Sequence, residues 1–205
     1  MTHTLHRRGD TQSLKEDYVV LVIPAQGINV QGSDEKLKKL WDIFSHYQVV
    51  NFGNGTHGNK FTLSLEDLKK KKSMVGHAVF KDRETLTEFI KELKDADLGL
   101  STVISGLYDE VKGCCDSQGI KLHTVEHSLG VHGNTQKLPP ENVLEIHTMC
   151  GHALVSPGLI KAMVEDIKKG KTTAEAAGEE LARQCICGIF NPYRAAKLLE
   201  KMASV

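Results

Sequence analysis

The chain carries no net charge: lysine plus arginine and aspartate plus glutamate number 26 each. It therefore lacks the global field that attracts nucleic acid or an anionic membrane, and neither is an expected partner. No apolar run approaches the roughly 20 residues needed to span a bilayer. The first ten residues, Met1-Thr-His-Thr-Leu-His-Arg-Arg-Gly-Asp10, lack the apolar centre of a secretory signal. No P-loop is present, and nothing in the pattern supports nucleotide binding. The cysteines number five, an odd count, and none of them form paired C-x-x-C units. Adjacent Cys114-Cys115 and the close pair Cys185/Cys187 are poor disulfide partners. These features point to a cytoplasmic protein whose cysteines act as buried thiols, ligands or nucleophiles.

What the chain does have is an ordinary globular composition, 40% hydrophobic and 25% charged. At 205 residues it is long enough to bury a real core. Residues 1–17 are polar and unpatterned and read as a tail or an edge segment. Tyr18–Ile23 is an unbroken β-branched run, closed by Pro24, and reads as a buried strand. A helix follows with Leu37, Leu40, Trp41 and Phe44 on one face. Val49–Phe52 is a short strand. Gly53–Asn59 is a loop rich in residues that tolerate positive φ. Ser64 caps a short helix that ends in four lysines, read as a solvated face. Met74–Phe80 is a third strand. Asp82 caps a helix striped by Leu86, Phe89, Ile90 and Leu93. Leu98–Ile104 is a fourth strand, and a helix from Leu107 stops before Gly119.

That order predicts an α+β fold, a ferredoxin-like βαββαβ two-layer sandwich over residues 18–119, with the helices at 34–47 and 83–96 on one face. Residues 120–205 predict a helix-rich part packed on it. Ile120–Leu129 reads as a fifth strand. One helix runs from Pro140 to about Val155, a second starts at Ser156-Pro157, a third at the capping box Thr172–Glu175, and a fourth at Asn191-Pro192.

The chemistry concentrates in two short stretches, Glu145-Ile-His-Thr-Met-Cys-Gly-His152 and Cys185-Ile-Cys-Gly-Ile-Phe-Asn-Pro192. They hold three of the five cysteines. Cys150, Cys185 and Cys187, completed by His147 or His152, make a four-ligand set suited to zinc or an iron–sulfur cluster. His147 and Cys150 are three apart and share a helix face. In a second reading Cys150 is a metal-free nucleophile activated by His147 or His152. In a third the cysteines are core residues of a binding module that dimerises. His127 and Glu126 are further candidates for acid–base work. His123 and His127 on a strand would stand about 13 Å apart and could not share an ion. Arg194, at a helix start, is a candidate to hold an anionic cofactor. A small molecule and a second copy of the chain are the partners left open, and the residues name no reaction.

Overall fold

The structure is a computed structural model and describes residues 2–205. It is an α+β protein with a four-stranded antiparallel sheet and, among the described residues, nine α-helices. The strands are β1 (Tyr18–Ile23), β2 (Asn51–Gly53), β3 (Gly76–Phe80) and β4 (Ser101–Ser105), in spatial order β2-β3-β1-β4. β1 is central, pairing with β3 through Val20↔Ala78 and with β4 through Val20↔Ile104. A strand with neighbours on both sides and both faces covered has no polar face to show. This is why Tyr18–Val22 is apolar without alternation and wholly buried.

The period of two divides β1 between two cores. Tyr18, Val20 and Val22 pack with Ala78 and Phe80 against α2 (Ser33–Ser45), α4 (Arg83–Ala96) and α5 (Tyr108–Ser117). The stripes Leu37, Leu40, Trp41, Phe44 and Leu86, Phe89, Ile90 lie in this core, as their spacing predicts. Val19 and Val79 face the other way. They join a second core with α6 (Glu141–His147), α7 (Pro157–Lys168), α8 (Ala174–Gln184) and α9 (Pro192–Ala203). The centre of the sheet is thus covered on both faces while the edge strand β4 stays largely exposed, and the expected two-layer sandwich is a three-layer arrangement about β1 and β3. Each large side chain buried in either core contributes about 1.5–3 kcal/mol.

Local signals place the helix starts well. Asp82, Ser156, Thr173 and Asn191 each accept a hydrogen bond from a backbone N–H three residues on, as does Ser64 at the short α3 (Leu65–Lys69). Asp10 does the same for α1 (Thr11–Leu14), which lies inside the stretch expected to be a tail. That stretch is packed. Thr4 is buried, Arg7 bonds Asp17 and the Ile189 carbonyl, and the Arg8 N–H donates to Thr148 Oγ1.

Two expectations in the C-terminal part fail. Residues 120–134 form no strand, and Leu122, Val125, Leu129 and Val131 are exposed. β-branched composition does not make a strand without a ladder to join. The helix expected from Pro140 to Val155 ends at His147. Among the described residues no helix is long and apolar enough to cross a membrane.

Candidate functional site

Where α6 stops, the chain makes a tight turn. Cys150 N–H donates to the His147 carbonyl, and Ala153 N–H to the Cys150 carbonyl. Ala153 adopts a left-handed φ of 57°, which few residues other than glycine do readily. The turn aims the N–H groups of His152, Leu154 and Val155 at the Cys150 sulfur. Cys185 stands at the C-terminus of α8, and Gly188, at φ 72°, folds the following residues back so that its N–H reaches the Cys185 carbonyl at 2.9 Å. Two asparagines from the sheet side hold this loop. Asn59 Nδ2 donates to the Ala182 and Cys185 carbonyls, both at 2.9 Å, and Asn51 Nδ2 to the Phe190 carbonyl at 2.8 Å.

The two loops meet. The Cys185 thiol donates to the Cys150 sulfur, and Cys187 Sγ lies 3.4 Å from His152 Nδ1. All three thiols are buried and free. The hydrogen bond from Cys185 and the three backbone N–H groups overcome burial and hold the Cys150 thiol well below the ordinary range. The same bond, with burial, pushes Cys185 up. The two thiols titrate as a coupled pair, with the charge favoured on Cys150 and the proton on Cys185. Burial first, then the charge on Cys150, pushes Cys187 up to about 11.

The structure separates the sequence candidates. Cys150, Cys185, Cys187 and His152 come together. His147 turns its Nδ1 to the Val155 carbonyl at 2.7 Å. The imidazole that meets a thiol is His152, and the thiol it meets is Cys187 rather than Cys150. His127 and Glu126 lie in the irregular 120–134 segment, on a groove of about 910 Å³ beside β4 whose walls include neither Cys150, Cys185 nor Cys187. His127 sits against the Tyr108 ring. Arg194 is engaged within the protein. Only 1% exposed, its guanidinium is spent on Asp17, Ser13 Oγ and the Arg8 carbonyl. Among the described residues, no three His, Cys, Asp or Glu side chains are set, as they stand, to hold a metal ion.

Contrary to the expectation that the chain holds no G-x-G-x-x-G, the glycines of Gly53-Asn-Gly-Thr-His-Gly58 have the spacing of a dinucleotide fingerprint. They follow a strand, but no helix opens at the last glycine, and the sheet is antiparallel. Their role is close packing. A Cβ on Gly53 would come within 2.7 Å of the Cys187 carbonyl oxygen, and one on Gly55 within 3.5 Å of the Cys187 sulfur.

Two histidines not singled out by the sequence stand behind the thiols. His77, on β3 two residues from Val79, points toward the second core and is 3% exposed. Neither of its ring nitrogens has a hydrogen-bond partner. The Gly53 and Cys187 carbonyls lie close enough to favour its charged form without completing a bond. His3 arrives on the N-terminal segment. Its ring centre is 5.6 Å from that of His77 and 5.0 Å from that of His152. A buried polar group without a partner costs about 1–3 kcal/mol.

Burial, and secondly the neighbouring His3, lowers the His77 pKa from 6.5 to about 3. The unfolded chain then binds a proton that the native state refuses across that window. In chelator-treated protein, stability should be fullest above pH 6.5 and fall by about 1.4 kcal/mol per unit as the pH drops toward 3. His3, lowered chiefly by burial, adds to the trend. Urea midpoints between pH 4 and 7 measure it. His77→Gln should flatten the slope, and an unchanged slope would assign the acid sensitivity elsewhere.

No family model, curated protein or solved structure matches the chain.

Proposed function

We propose that Cys150, Cys185 and Cys187 hold a soft cation, zinc, or an iron–sulfur cluster, with His152 as the adjoining imidazole. The observation that carries this reading is a buried Cys150 sulfur faced by three backbone N–H groups and by a second thiol. N–H donors aimed at sulfur are what a coordinated thiolate needs around it. Two sulfurs on one tetrahedral zinc stand about 3.8 Å apart, given Zn–S bonds of about 2.3 Å. Thiols in hydrogen-bond contact need little movement to meet that spacing. With Cys150 2% and Cys185 0% exposed, the site suits a small ion better than a bulky substrate. The ferredoxin-like reading of residues 18–105 belongs to the same proposal. It is supported by the strand order β2-β3-β1-β4 and by α2 and α4 sharing one face.

A second reading, thiol catalysis at Cys150, is favoured by the same low thiol pKa. The two are separated by purifying the protein anaerobically, measuring its metal content and absorbance, and alkylating it with iodoacetamide, with and without chelator. A metal centre should protect Cys150, Cys185 and Cys187 until chelator exposes all three. Cys150→Ser should keep the fold and weaken metal binding at least tenfold, because a hydroxyl is a poor soft-metal ligand. Fast labelling of Cys150 alone, indifferent to chelator, would transfer the site to nucleophilic chemistry. Slow labelling of every cysteine in metal-free protein would leave them structural.

A further inference from the structure

The imidazole corner behind the cysteines has donors that the thiol centre leaves unused. Both nitrogens of His77 and Nε2 of His3 are buried without a partner. Buried polar groups are almost always satisfied in native proteins, and an exception calls for a bound water or ion. Two imidazoles on one tetrahedral ion, each with its nitrogen about 2.0 Å from the metal, place their ring centres about 5 Å apart. The centres of His3 and His152 are 5.0 Å apart and those of His3 and His77 5.6 Å. Cys187 Sγ, 3.4 Å from His152 Nδ1, adds a sulfur donor at the edge of the set. As the side chains stand they do not form a metal-holding group. Rotation about histidine χ2, a broad torsion, re-aims a ring without moving the backbone.

We propose that His3, His77 and His152, with Cys187, form a second cation site that takes a borderline divalent transition metal of the zinc or cobalt kind. The histidines come from three separate parts of the chain: the N-terminal segment, β3 and the turn after Cys150. The site shares His152 and Cys187 with the cysteine centre but depends on imidazoles that the centre does not need. Imidazole-rich sets select such ions over magnesium or calcium. The N-terminal segment is held in place by Arg7 on the Ile189 carbonyl and Arg8 on Thr148, so His3 is delivered only when that segment is docked. Gly151 allows this approach, since a Cβ there would fall 1.8 Å from the His3 carbonyl oxygen.

The test is anaerobic titration of chelator-treated full-length protein with cobalt(II). Visible d–d bands count bound ions, and near-ultraviolet charge transfer reports cobalt–thiolate bonds. The wild type should take up two equivalents. His3→Ala and His77→Gln should each lose one equivalent, or bind it at least tenfold more weakly, while keeping the charge transfer of the cysteine centre. Should His77→Gln fail to fold, His3→Ala, on a segment outside both cores, decides alone. Cys150→Ser should keep the imidazole equivalent. Cobalt uptake by both histidine variants equal to wild type would mean that the orphan nitrogens bind water only, and would overturn the proposal. Loss of both equivalents in Cys150→Ser would overturn it too, by showing one site rather than two. A single wild-type equivalent that vanishes in His3→Ala but survives Cys150→Ser would remove the cysteine centre and leave the imidazole site standing.

Discussion

Asp17→Ala should lower the unfolding free energy by about 3–5 kcal/mol, the usual result of stripping the partner from a buried charge. The Asp17 side chain is 0% exposed and sits between two guanidiniums, Arg7 at 2.8 Å and Arg194 at 3.1 Å, that are themselves 6% and 1% exposed. Its other oxygen accepts from Asn191 Nδ2 at 3.1 Å. One carboxylate thus joins the N-terminal segment, the start of β1 and the start of α9. Its removal leaves two cations in a space that water does not reach. Asn191, which caps α9, loses a partner as well. The measurement is the urea midpoint at constant m-value. A loss under about 1 kcal/mol would mean that water enters this region and that the pairs behave like surface ones. Replacing Asp17 and Arg194 together, by asparagine and methionine, should recover part of the loss, since one uncompensated charge is then gone. The same change should loosen the segment that carries His3, so sensitivity of that segment to proteolysis should rise with the loss of stability.

The second large effect is expected at Gly188. Its φ of 72° alone makes alanine unfavourable by roughly 1–2 kcal/mol. A Cβ there would also meet the Phe52 carbonyl carbon and oxygen, both at 2.2 Å, and the Gly53 nitrogen at 2.4 Å. These are backbone atoms of β2 and cannot swing aside. Either the strand or the Cys185–Cys187 loop must move, and overpacking of this kind adds about 1–3 kcal/mol. Gly188→Ala should therefore cost about 3 kcal/mol or more and part Cys187 from His152. Gly27 is the control, with a φ of 74° and nothing within 4 Å of its Cβ position. Gly27→Ala should show the conformational part alone. Equal losses in the two variants would mean that the contact of the loop with β2 contributes nothing.

Residues that act on near neighbours were legible. Asp82, Ser156 and Asn191 cap their helices because a short polar side chain reaches a backbone N–H three residues on, which requires no tertiary contact, and Thr173 does the same one residue after the cap that the Thr172–Glu175 box predicts. The Leu37–Phe44 and Leu86–Ile90 stripes were legible because a helix displays its period in the sequence. The two cysteine stretches were visible for a similar reason, as soft side chains concentrated in few residues.

The tertiary structure decided everything that depended on a partner distant in sequence. Ile120–Leu129 has strand composition and no ladder to join, so it stays irregular. His147 shares a helix face with Cys150 only if the helix continues, and α6 ends at His147 itself, which passes the imidazole role to His152. The polar N-terminus looked like a tail because Arg7 and Arg8 find their partners at Glu141, Thr148 and Ile189 only after the C-terminal helices are in place. Arg194 looked like an anion ligand at a helix start until Asp17 was brought against it. His77 reads as one more residue of a buried strand. Its orphaned nitrogens exist only because folding lays His3 and the Cys187 loop over it and closes out water. By itself the sequence determined the long helices of the first core, most helix starts, the central strand and the stretches in which the thiols lie. The pairing of those thiols, and the imidazoles beside them, were set by contacts between residues tens of positions apart or more, because burial and hydrogen bonding depend on distance in space and leave no period along the chain.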